Sequence, residues 1–592
     1  MDAFGEYEAY RGPQYTSMER QAVYLAMRDG VRLAATVILP AGRKAGERLP
    51  AILYQTRYWR AYEFWPGFGW MQRFFDAPQR FFTGHGYAMI MVDVRGSGAS
   101  FGTRRHPWSA AEIEDGREIV DWIVAQPWSN GCVAGYGTSY SGTTAELLAA
   151  VGHPAVKAVI PRFNEFDLYT DMVLPGGLYL DSFIKAWAAM NRELDANRVP
   201  RILGAMRLPM RGVKPVDGDR GRRLLRAAVK QHAANVGVDE FAGQVTYRDE
   251  RDPLHGISLE DFNVCTFRDR LVASGATMYG WGGWYDGGTA GAVLHRFMTL
   301  SNPQLAVVGP WNHGGGQHAS PYAPGKSDIV GHWRALLRFL DQHLKGEDTG
   351  LPSGKRLAYY TLGEERWKET DTWPPAGASA ECWYLAADGA LSRQQPAADV
   401  GADVYRVDME ASSGAANRWH TPMGGGLVAF EDRAAADRRL LTYTSPPLEE
   451  AIEITGHPIV TLLMRSTASD GAFFAYLEEM DEAGRVTCLV DGQIRALHRH
   501  VSPAEPPYTQ FTPYHSYRRE DGQPLVPGEL TEVRFGLLPI SVRVPRGRRL
   551  RLALAGADAG SFPRVPAAGT PEWTVERNST YPSHIELPVI RQ

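Results

Sequence analysis

Residues 133–142 read VAGYGTSYSG, an apolar run that turns into a helical pattern at a serine. When a strand turns directly into a helix, the serine at the bend adopts a strained backbone, and the residues two before and two after it must be small. Gly137 and Ser141 meet this requirement around Ser139. Ser141 itself is not a candidate for the serine at the bend, because the residues two before and two after it are Ser139 and Thr143 and neither is a glycine. We interpret the stretch as a nucleophile elbow with Ser139 at its bend.

Similar short apolar runs lie on both sides of this elbow. The predicted buried strands are residues 51–54, 88–92, 133–135, 155–160, 276–279 and 305–308. Helical patterns such as Ile113–Ala125 alternate with them and place their apolar residues on one side. The pair Asp29-Gly30 predicts a hairpin turn within residues 21–39, since glycine accepts positive φ. Together these patterns predict an α/β fold with a mostly parallel, doubly wound sheet.

The pattern changes twice along the rest of the chain. Between residues 164 and 257 the β pattern stops, and prolines interrupt helical segments such as Leu180–Leu194, which predicts a helical cap inserted into the α/β core. Beyond this core, short alternating segments recur between Gly and Pro turns, as in an antiparallel β-sandwich. We therefore predict four parts. These are core residues 1–163, cap residues 164–257, core residues 258–354 and sandwich residues 355–592.

The charge of the chain is nearly balanced. Lys plus Arg number 63 and Asp plus Glu number 67, a net charge of −4 over 592 residues. A balanced chain has no overall electrostatic footprint for nucleic acid or an anionic membrane, so we expect neither as a partner. The cap does contain a basic run of Arg220, Arg222, Arg223, Arg226 and Lys230. We interpret this run as the solvated face of a helix rather than as an anion site.

The cysteines and the N-terminal sequence indicate the compartment. Cys132, Cys265, Cys382 and Cys488 form no C-x-x-C pair, which argues against a zinc cage and a disulfide framework. The first residues lack the basic and apolar regions of a secretion signal, and no stretch offers the roughly 18 apolar residues of a membrane span. We therefore expect a cytoplasmic protein that binds no metal.

Two downstream segments supply the groups that a nucleophilic serine needs. A serine hydroxyl requires an imidazole to take its proton and a carboxylate to fix the imidazole tautomer. Asp286 follows one predicted strand and His313 follows the next. The order Ser139, Asp286, His313 is the chain order of the α/β-hydrolases. We predict this catalytic triad, which requires no cofactor.

Six short segments along the chain occur together, in this order, in one family of proteins. They are Met27–Leu33, Thr56–Tyr58, Asp93–Ser100, Gly137–Gly142, Trp284–Asp286 and Gly309–His313. The chain thereby resembles the cocaine-esterase and X-prolyl dipeptidyl aminopeptidase family of serine hydrolases over nearly its whole length, with further similarity to α-amino acid ester hydrolases and glutaryl acylases. The resemblance implies an α/β-hydrolase core, a helical cap, a C-terminal all-β jelly-roll domain and the capacity to form homo-oligomers.

The resemblance also implies how a developing oxyanion is stabilised. The phenol of Tyr58 and the backbone N–H of Tyr140 would each donate a hydrogen bond to it. A lipase-type oxyanion loop is disfavoured, because the glycine run that follows a histidine, Gly314–Gly316, comes late in the chain and not after an early strand.

The substrate is expected to contact the cap and several aromatic side chains. Candidate pocket residues are Trp65, Phe68, Trp70, Phe163, Phe166 and Trp187. The similar α-amino acid ester hydrolases hold a substrate ammonium with an acidic pair just beyond the catalytic Asp, whereas Asp286 is followed here by Gly287-Gly288-Thr289. A free α-amino group is therefore disfavoured. The cap carboxylates Asp167, Asp171 and Asp181 are the alternative partners for one.

We predict a carboxylic ester hydrolase that forms an acyl-enzyme on Ser139 and releases it with water. The same residues suit an amide or peptide hydrolase, either an acylase or an X-prolyl dipeptidyl peptidase, because esters and amides differ mainly in how the leaving group is protonated. A catalytically inactive binding protein of the same fold is the alternative from another class. In each case the expected partner is a small-molecule ester or amide.

Overall fold

The computed structural model describes residues 3–8, 10–423 and 426–591. A chain of alternating strands and helices forms its first part. The strands there are β1 (Met18–Ala26), β2 (Arg32–Pro40), β3 (Leu49–Thr56), β4 (Tyr62–Phe64), β5 (Ala88–Asp93), β6 (Ser129–Thr138), β7 (Val156–Arg162), β8 (Met210–Val213), β9 (Thr277–Gly283), β10 (Gln304–Gly309), β11 (Gln317–His318), β12 (Gly325–Lys326), β13 (Lys355–Thr361) and β14 (Arg366–Thr370).

Within these described residues one sheet has the strand order β1-β2-β5-β3-β6-β7-β9-β10-β13-β14. The strands from β5 to β13 in this order pair in parallel, and the antiparallel pairs lie at the two edges. β5 and β10 are buried along their whole length, as in a sheet covered on both faces. The predicted doubly wound α/β sheet is confirmed, and each predicted apolar run overlaps one of its strands, with the runs at 155–160 and 276–279 starting one residue before β7 and β9.

Helices cover both faces of this sheet. Ile113, Leu147 and Leu271 pack against one face, and Phe82 and Leu336 against the other. The helices are α1 (Gln72–Phe75), α2 (Ala77–Gly84), α3 (Ala110–Val124), α4 (Tyr140–Ala150), α5 (Asp181–Asp195), α6 (Arg223–His232), α7 (Val238–Ala242), α8 (Arg268–Ser274), α9 (Thr289–Thr299) and α10 (Ile329–Leu340). Because the connected strands are parallel, their carboxyl ends meet at one edge of the sheet, where the loops that follow them converge.

The segment between β7 and β9 contains α5, α6, α7 and shorter helical turns. It also contains one strand that the helical pattern did not predict, β8, which pairs antiparallel with β4 so that Tyr62 lies opposite Val213. The four residues of β8, which lie between Pro209 and Pro215, are too few to produce a β pattern in the sequence. This small sheet ties the cap segment to the loop that follows β3.

After β14 the described chain is mostly antiparallel β-structure. Its strands are β15 (Ala378–Ala386), β16 (Ala390–Ser392), β17 (Ala402–Arg406), β18 (Leu441–Thr444), β19 (Ile452–Gly456), β20 (Ile459–Ser466), β21 (Ala472–Met480), β22 (Val486–Arg495), β23 (Thr531–Gly536), β24 (Ile540–Val544), β25 (Arg549–Ala555), β26 (Glu572–Glu576) and β27 (His584–Ile590). Val460, Leu477 and Leu552 lie in its core with exposures of 0%. This region is the all-β domain that the sequence predicts.

The strand pairing places the start of the sandwich after β14 and not at residue 355, where the sequence predicts it. β13 and β14 belong to the α/β sheet, because β13 pairs in parallel with β10 and β14 pairs with β13. Leu362, just after β13, exchanges backbone hydrogen bonds of 2.9 and 2.8 Å with Ser541 and Arg543 of the sandwich. The two β-regions are therefore joined through the edge of the core sheet.

Residues 3–8, 10–423 and 426–591 contain no disulfide bond, no metal-binding cluster and no helix that could cross a membrane. The four cysteines are free. No group of three or more His, Cys, Asp or Glu side chains is arranged to hold a metal ion. No helix combines the length and apolar character that crossing a bilayer requires.

Candidate active site

Ser139 lies between β6 and α4 with φ of 61° and ψ of −131°, a conformation that L-residues rarely adopt. A Cβ at Gly137 would come within 2.0 Å of the backbone oxygen of Ser141, and one at Gly142 within 2.7 Å of the Arg162 oxygen. Glycine at both positions lets the strand and helix approach this closely. Ser141 is fully buried, whereas Ser139 lines a cavity and its hydroxyl has no hydrogen-bond partner among the described residues.

Asp286 and His313 lie on the loops that follow the neighbouring parallel strands β9 and β10. The Nδ1 atom of His313 is 2.9 Å from Oδ1 and 3.1 Å from Oδ2 of Asp286. The hydroxyl of Thr289 donates a further hydrogen bond of 3.1 Å to Asp286 Oδ2. These contacts fix the orientation of the imidazole and leave its Nε2 atom on the side of the ring away from the carboxylate.

The pKa of His313 reflects two opposing effects. Burial alone would lower this pKa, but the charge of Asp286 and its hydrogen bond raise it above the usual value for histidine, and the charge of Glu165 adds to the increase. An imidazole held in this way is a stronger base than a free one. This is the property that abstraction of a serine proton requires.

Tyr58 follows β3 and contributes to the same cavity as Ser139. The indole N–H of Trp187 donates a hydrogen bond of 2.7 Å to the phenol oxygen of Tyr58. Burial raises the pKa of Tyr58 to about 12, although Arg57 acts in the opposite direction. The phenol therefore keeps its proton at neutral pH, and because its oxygen accepts from Trp187, that proton is free to point into the cavity.

Tyr140 is the first residue of α4, so its backbone N–H has no acceptor within the helix. Its ring is stacked on Trp108 at 4.7 Å, and its phenol donates a hydrogen bond of 2.6 Å to Glu112. These contacts hold the side chain in the core. The backbone N–H, next to Ser139, is thus in a position to donate to a group bound at the serine.

A mostly apolar cavity lies in front of Ser139. Aromatic and aliphatic side chains of the core and the cap form most of its wall. The lining residues are Tyr58, Pro107, Trp108, Ser139, Tyr140, Glu165, Leu168, Met172, Val173, Phe183, Ile184, Trp187, Val238 and Phe262. Such a cavity suits an apolar or aromatic group.

The structure brings only one of the candidate pocket aromatics, Trp187, to this cavity. Phe163 is fully buried, with its ring 6.4 Å from that of His313 and 6.1 Å from that of Trp311. Phe166 is also fully buried and packs against Tyr508 at 5.6 Å. Both are core residues here, because their strand and loop point them away from the cavity.

The other three candidates lie on the exterior. Trp65, Phe68 and Trp70 are 47%, 44% and 59% exposed and do not line the cavity in front of Ser139. The aromatic content of this stretch suggested a pocket, but the residues that follow β4 run along the surface. The prediction that these three residues line the substrate pocket is therefore wrong.

Glu165 is a cavity residue that the sequence analysis missed. It is 3% exposed, and the hydroxyl of Thr143 donates a hydrogen bond of 2.8 Å to its Oε1 atom. Burial raises the pKa of Glu165 to about 7, against the effect of backbone and Thr143 hydrogen bonds. The available signal was its place just after a core strand, β7, at the edge where Ser139 lies.

A loop of the sandwich contacts the loops that carry Asp286 and His313. Gln317 donates a hydrogen bond of 2.8 Å to the backbone oxygen of Val428 and accepts one of 2.9 Å from its N–H. The N–H of Gly287 donates to the oxygen of Arg418 at 3.1 Å, and the Arg418 guanidinium pairs with Asp491 at 2.8 Å. The sandwich therefore braces the acid and base loops from one side.

Comparison with known proteins identifies the family. A model described as X-Pro dipeptidyl-peptidase (S15 family) matches residues 29–315, and one described as the X-Pro dipeptidyl-peptidase C-terminal non-catalytic domain matches residues 350–586. A putative serine esterase of Mycobacterium bovis is 44% identical across 100% of this chain and 98% of its own length. The chain belongs to the S15 family. This S15 protein is a hydrolase, as its resemblance to serine hydrolases predicts.

More distant relatives of this S15 protein extend over the whole chain. The cocaine esterase of a Rhodococcus species is 24% identical over 96% of this chain and 98% of its own. The solved structure of an α-amino acid ester hydrolase shares its fold with a TM-score of 0.72 at 20% identity, covering 98% of both chains. The predicted resemblance to this group and the predicted combination of α/β-hydrolase core and all-β domain are confirmed.

Proposed function

We propose that this S15 protein is a carboxylic ester hydrolase in which Ser139 is the nucleophile, His313 is the general base and acid, and Asp286 orients His313. The observation that supports this most directly is the hydrogen bond of 2.9 Å between His313 and Asp286. It lies at the sheet edge where Ser139 holds its strained conformation beside the cavity. The order and loop positions of the three residues fit a triad.

The proposed reaction has two halves. The Oγ atom of Ser139 attacks the ester carbonyl carbon while Nε2 of His313 takes its proton, and the phenol of Tyr58 and the N–H of Tyr140 donate hydrogen bonds to the oxyanion. The imidazolium then protonates the departing alkoxide, which leaves as an alcohol. Water attacks the acyl-enzyme, its proton passes to His313 and then to Ser139, and the carboxylic acid is released.

The cavity favours an apolar acyl group. Phe183 and Trp187 stack with ring centroids 6.4 Å apart in its wall, and Trp108 and Phe262 lie on another side. Walls of this composition suit an aryl or branched aliphatic acyl group. With its pKa raised to about 7, Glu165 is largely protonated below neutral pH and can then donate a hydrogen bond to a neutral polar substituent.

Hydrolysis of aminoacyl esters or amides is the second candidate, and Glu165 is the observation that favours it. An ammonium group in this apolar cavity would need a carboxylate partner to offset its desolvation, and Glu165 lines the cavity beside Ser139. Matched kcat/KM values for phenyl acetate, phenylglycine methyl ester and a glycyl-prolyl anilide separate the two functions. The ester proposal requires phenyl acetate to be the best substrate and to stay so in Glu165→Gln.

Fluorophosphonate labelling tests the nucleophile. We expect the wild-type protein and Ser141→Ala to be labelled and to hydrolyse p-nitrophenyl esters, because Ser141 is buried behind the bend. Ser139→Ala should lose the label and at least about 10³-fold in kcat. Labelling of Ser139→Ala, or wild-type esterase activity in that variant, would refute the proposal.

A further inference from the structure

Two exposed segments form one apolar surface outside the catalytic cavity, which we call the apolar face and define as residues 65–74 and 201–211. β4 ends just before the first segment and pairs with β8, which begins within the second segment. The N–H of Trp65 also donates a hydrogen bond of 2.9 Å to the backbone oxygen of Pro209. The ring of Phe75 packs on Tyr62 and Phe64 at 4.9 and 5.6 Å. The two segments are therefore neighbours on a firmly attached base.

The apolar face contains large apolar side chains that are more than half exposed to solvent. Trp70, Phe74 and Leu208 are 59%, 69% and 71% exposed, and Met206 is 54% exposed. The rings of Trp70 and Phe74 contact one another at 5.8 Å and pack on no other described ring. Scattered single apolar residues need no explanation, but several large ones on two neighbouring segments are typical of an interaction surface.

Arginines interleave with these apolar side chains. The two segments contain Arg73, Arg201, Arg207 and Arg211 and no acidic residue. The guanidinium of Arg211 lies over the Trp65 ring at 5.2 Å. Arg73 and Arg207 are exposed and have no carboxylate partner within the described part of the chain. Arg211 and Arg201 pair with Glu63 and Glu193 at 3.4 and 3.3 Å. The unpaired positive charge of the face is therefore that of Arg73 and Arg207, although the whole protein has a net charge of −4.

Further basic residues lie in the cap, just before and within α6. Arg222 of that segment pairs with Glu63 of β4, which places the basic run beside the apolar face. Residues 198–226 contain nine Lys and Arg against two Asp. The basic run that the sequence predicts to be a solvated helix face therefore lies next to the apolar face.

In contrast to the expectation from the overall charge of the chain, we propose that the apolar face docks reversibly on an anionic lipid surface. Trp and Phe side chains partition to the boundary between headgroups and acyl chains, and Arg side chains pair with lipid phosphates. Charge decides against a second copy of this chain as the occupant, because a two-fold contact would place the same cationic patches against each other. The charge of an anionic bilayer is complementary to the face.

Vesicle sedimentation tests the docking. We expect the full-length protein to pellet with phosphatidylcholine vesicles that contain phosphatidylglycerol and to stay in solution with phosphatidylcholine alone. Raising the salt from about 0.1 M to about 1 M, which shortens the Debye length from about 10 to about 3 Å, should weaken the binding. Equal binding to both vesicle types, or none to either, would overturn the proposal.

Variants assign the binding to this face. Trp70→Ser combined with Phe74→Ser should weaken vesicle binding at least about tenfold, and Arg207→Ala about fivefold. The matched control is Val400→Ser with Val404→Ser, at sandwich positions that are 83% and 64% exposed, and it should bind as wild type does. Unchanged p-nitrophenyl acetate hydrolysis in all three variants reports that they are folded.

Sedimentation velocity distinguishes a lipid surface from a second copy of the chain as the occupant of the apolar face. A monomer, or an oligomer that survives Trp70→Ser with Phe74→Ser, is expected if lipid occupies the face. A dimer that this double variant dissociates, without any loss of vesicle binding, would show that a second copy covers the face and would overturn the proposal.

Discussion

At Tyr58 a single hydroxyl proton is proposed to stabilise the developing oxyanion. Tyr58→Phe removes that proton and keeps the ring, so we expect kcat for a p-nitrophenyl ester to fall by about 10²–10³ with little change in KM. Tyr62→Phe is the matched control, because that phenol donates to the Tyr58 backbone oxygen at 3.3 Å and does not line the cavity. Equal losses in the two variants would assign Tyr58 a packing role only.

Glu165 is expected to raise the pH at which the base becomes active. His313 must be neutral to accept a proton, so kcat/KM falls as the pH drops through the raised pKa of His313. The charge of Glu165 contributes to that increase, and Glu165→Gln should therefore move the acid limb of the pH profile to lower pH. Glu112→Gln is the control, since burial also raises the pKa of Glu112 to about 7 but its partner is Tyr140. An unmoved limb in Glu165→Gln contradicts the prediction.

The candidate catalytic residues could be predicted from the sequence because their signals are local. The elbow around Ser139 needs small residues at fixed offsets, and Asp286 and His313 each follow a strand. Glu165 could not be selected in this way, since a carboxylate after a strand looks the same whether it faces a cavity or solvent. The exposed Trp65 shows the converse, because aromatic composition does not tell an outer surface from a pocket wall.

At the scale of the secondary-structure elements, the close packing of β6 on α4 makes Gly137 sensitive. A methyl group there would meet the Ser141 oxygen at 2.0 Å, so we expect Gly137→Ala to lower the free energy of unfolding by at least about 1–3 kcal/mol and to abolish esterase activity. Urea unfolding and p-nitrophenyl acetate hydrolysis measure the two effects.

Gly291→Ala in α9 is the matched control. Its nearest neighbour to an added Cβ is Pro539 at 3.9 Å, which is ordinary contact. Replacing a helical glycine by alanine should raise the free energy of unfolding by about 0.5–1 kcal/mol. If Gly137→Ala behaved in the same way, the close approach at the elbow would not be the reason for glycine at position 137.

The strands that the sequence placed correctly are the long, fully buried ones. β5 and β10 are buried along their whole length and are apolar except for Asp93 at the end of β5 and Gln304 at the start of β10. Such nearly continuous apolar runs are typical of strands covered on both faces. β8 has only four residues, and β14 lies at a sheet edge with a mixed pattern. Short and edge strands depend on their partners for stability, so their sequences alone do not reveal which sheet they join.

At the scale of the whole molecule, the sandwich is expected to support catalysis through the loop that braces His313. Gln317→Ala removes both hydrogen bonds to Val428, and we expect a loss of kcat of about tenfold or more, because the base loop is no longer held in one position. Gln395→Ala, which removes an exposed contact to Ser579 at 3.4 Å, should leave kcat unchanged. Unchanged kcat in Gln317→Ala would show that the core alone positions the loop.

The contact between core and sandwich should also make the protein sensitive to acid. The rings of His295 of α9 and His457 of the sandwich each stack with the ring of Phe511 at 5.2 Å, and the two imidazoles lie 6.3 Å from one another. Burial lowers the pKa of His295 to about 4 and that of His457 to about 3, where the charge of His295 adds to the decrease. Both rings are therefore neutral in the folded protein at pH values where the unfolded chain is already protonated.

The sign of the effect follows from proton binding. Below the unfolded pKa of about 6.5, the unfolded state binds more protons than the folded state, so stability falls as the pH decreases toward the two folded values, by about 1.4 kcal/mol per pH unit for each histidine. His457→Phe keeps the stack and removes one titrating group, so the free energy of unfolding in urea should fall less steeply with acidification. Val400→Ser, at a sandwich position that is 83% exposed and carries no titrating group, should retain the wild-type slope. If His457→Phe also retained it, the core–sandwich stack would not be the origin of the acid sensitivity.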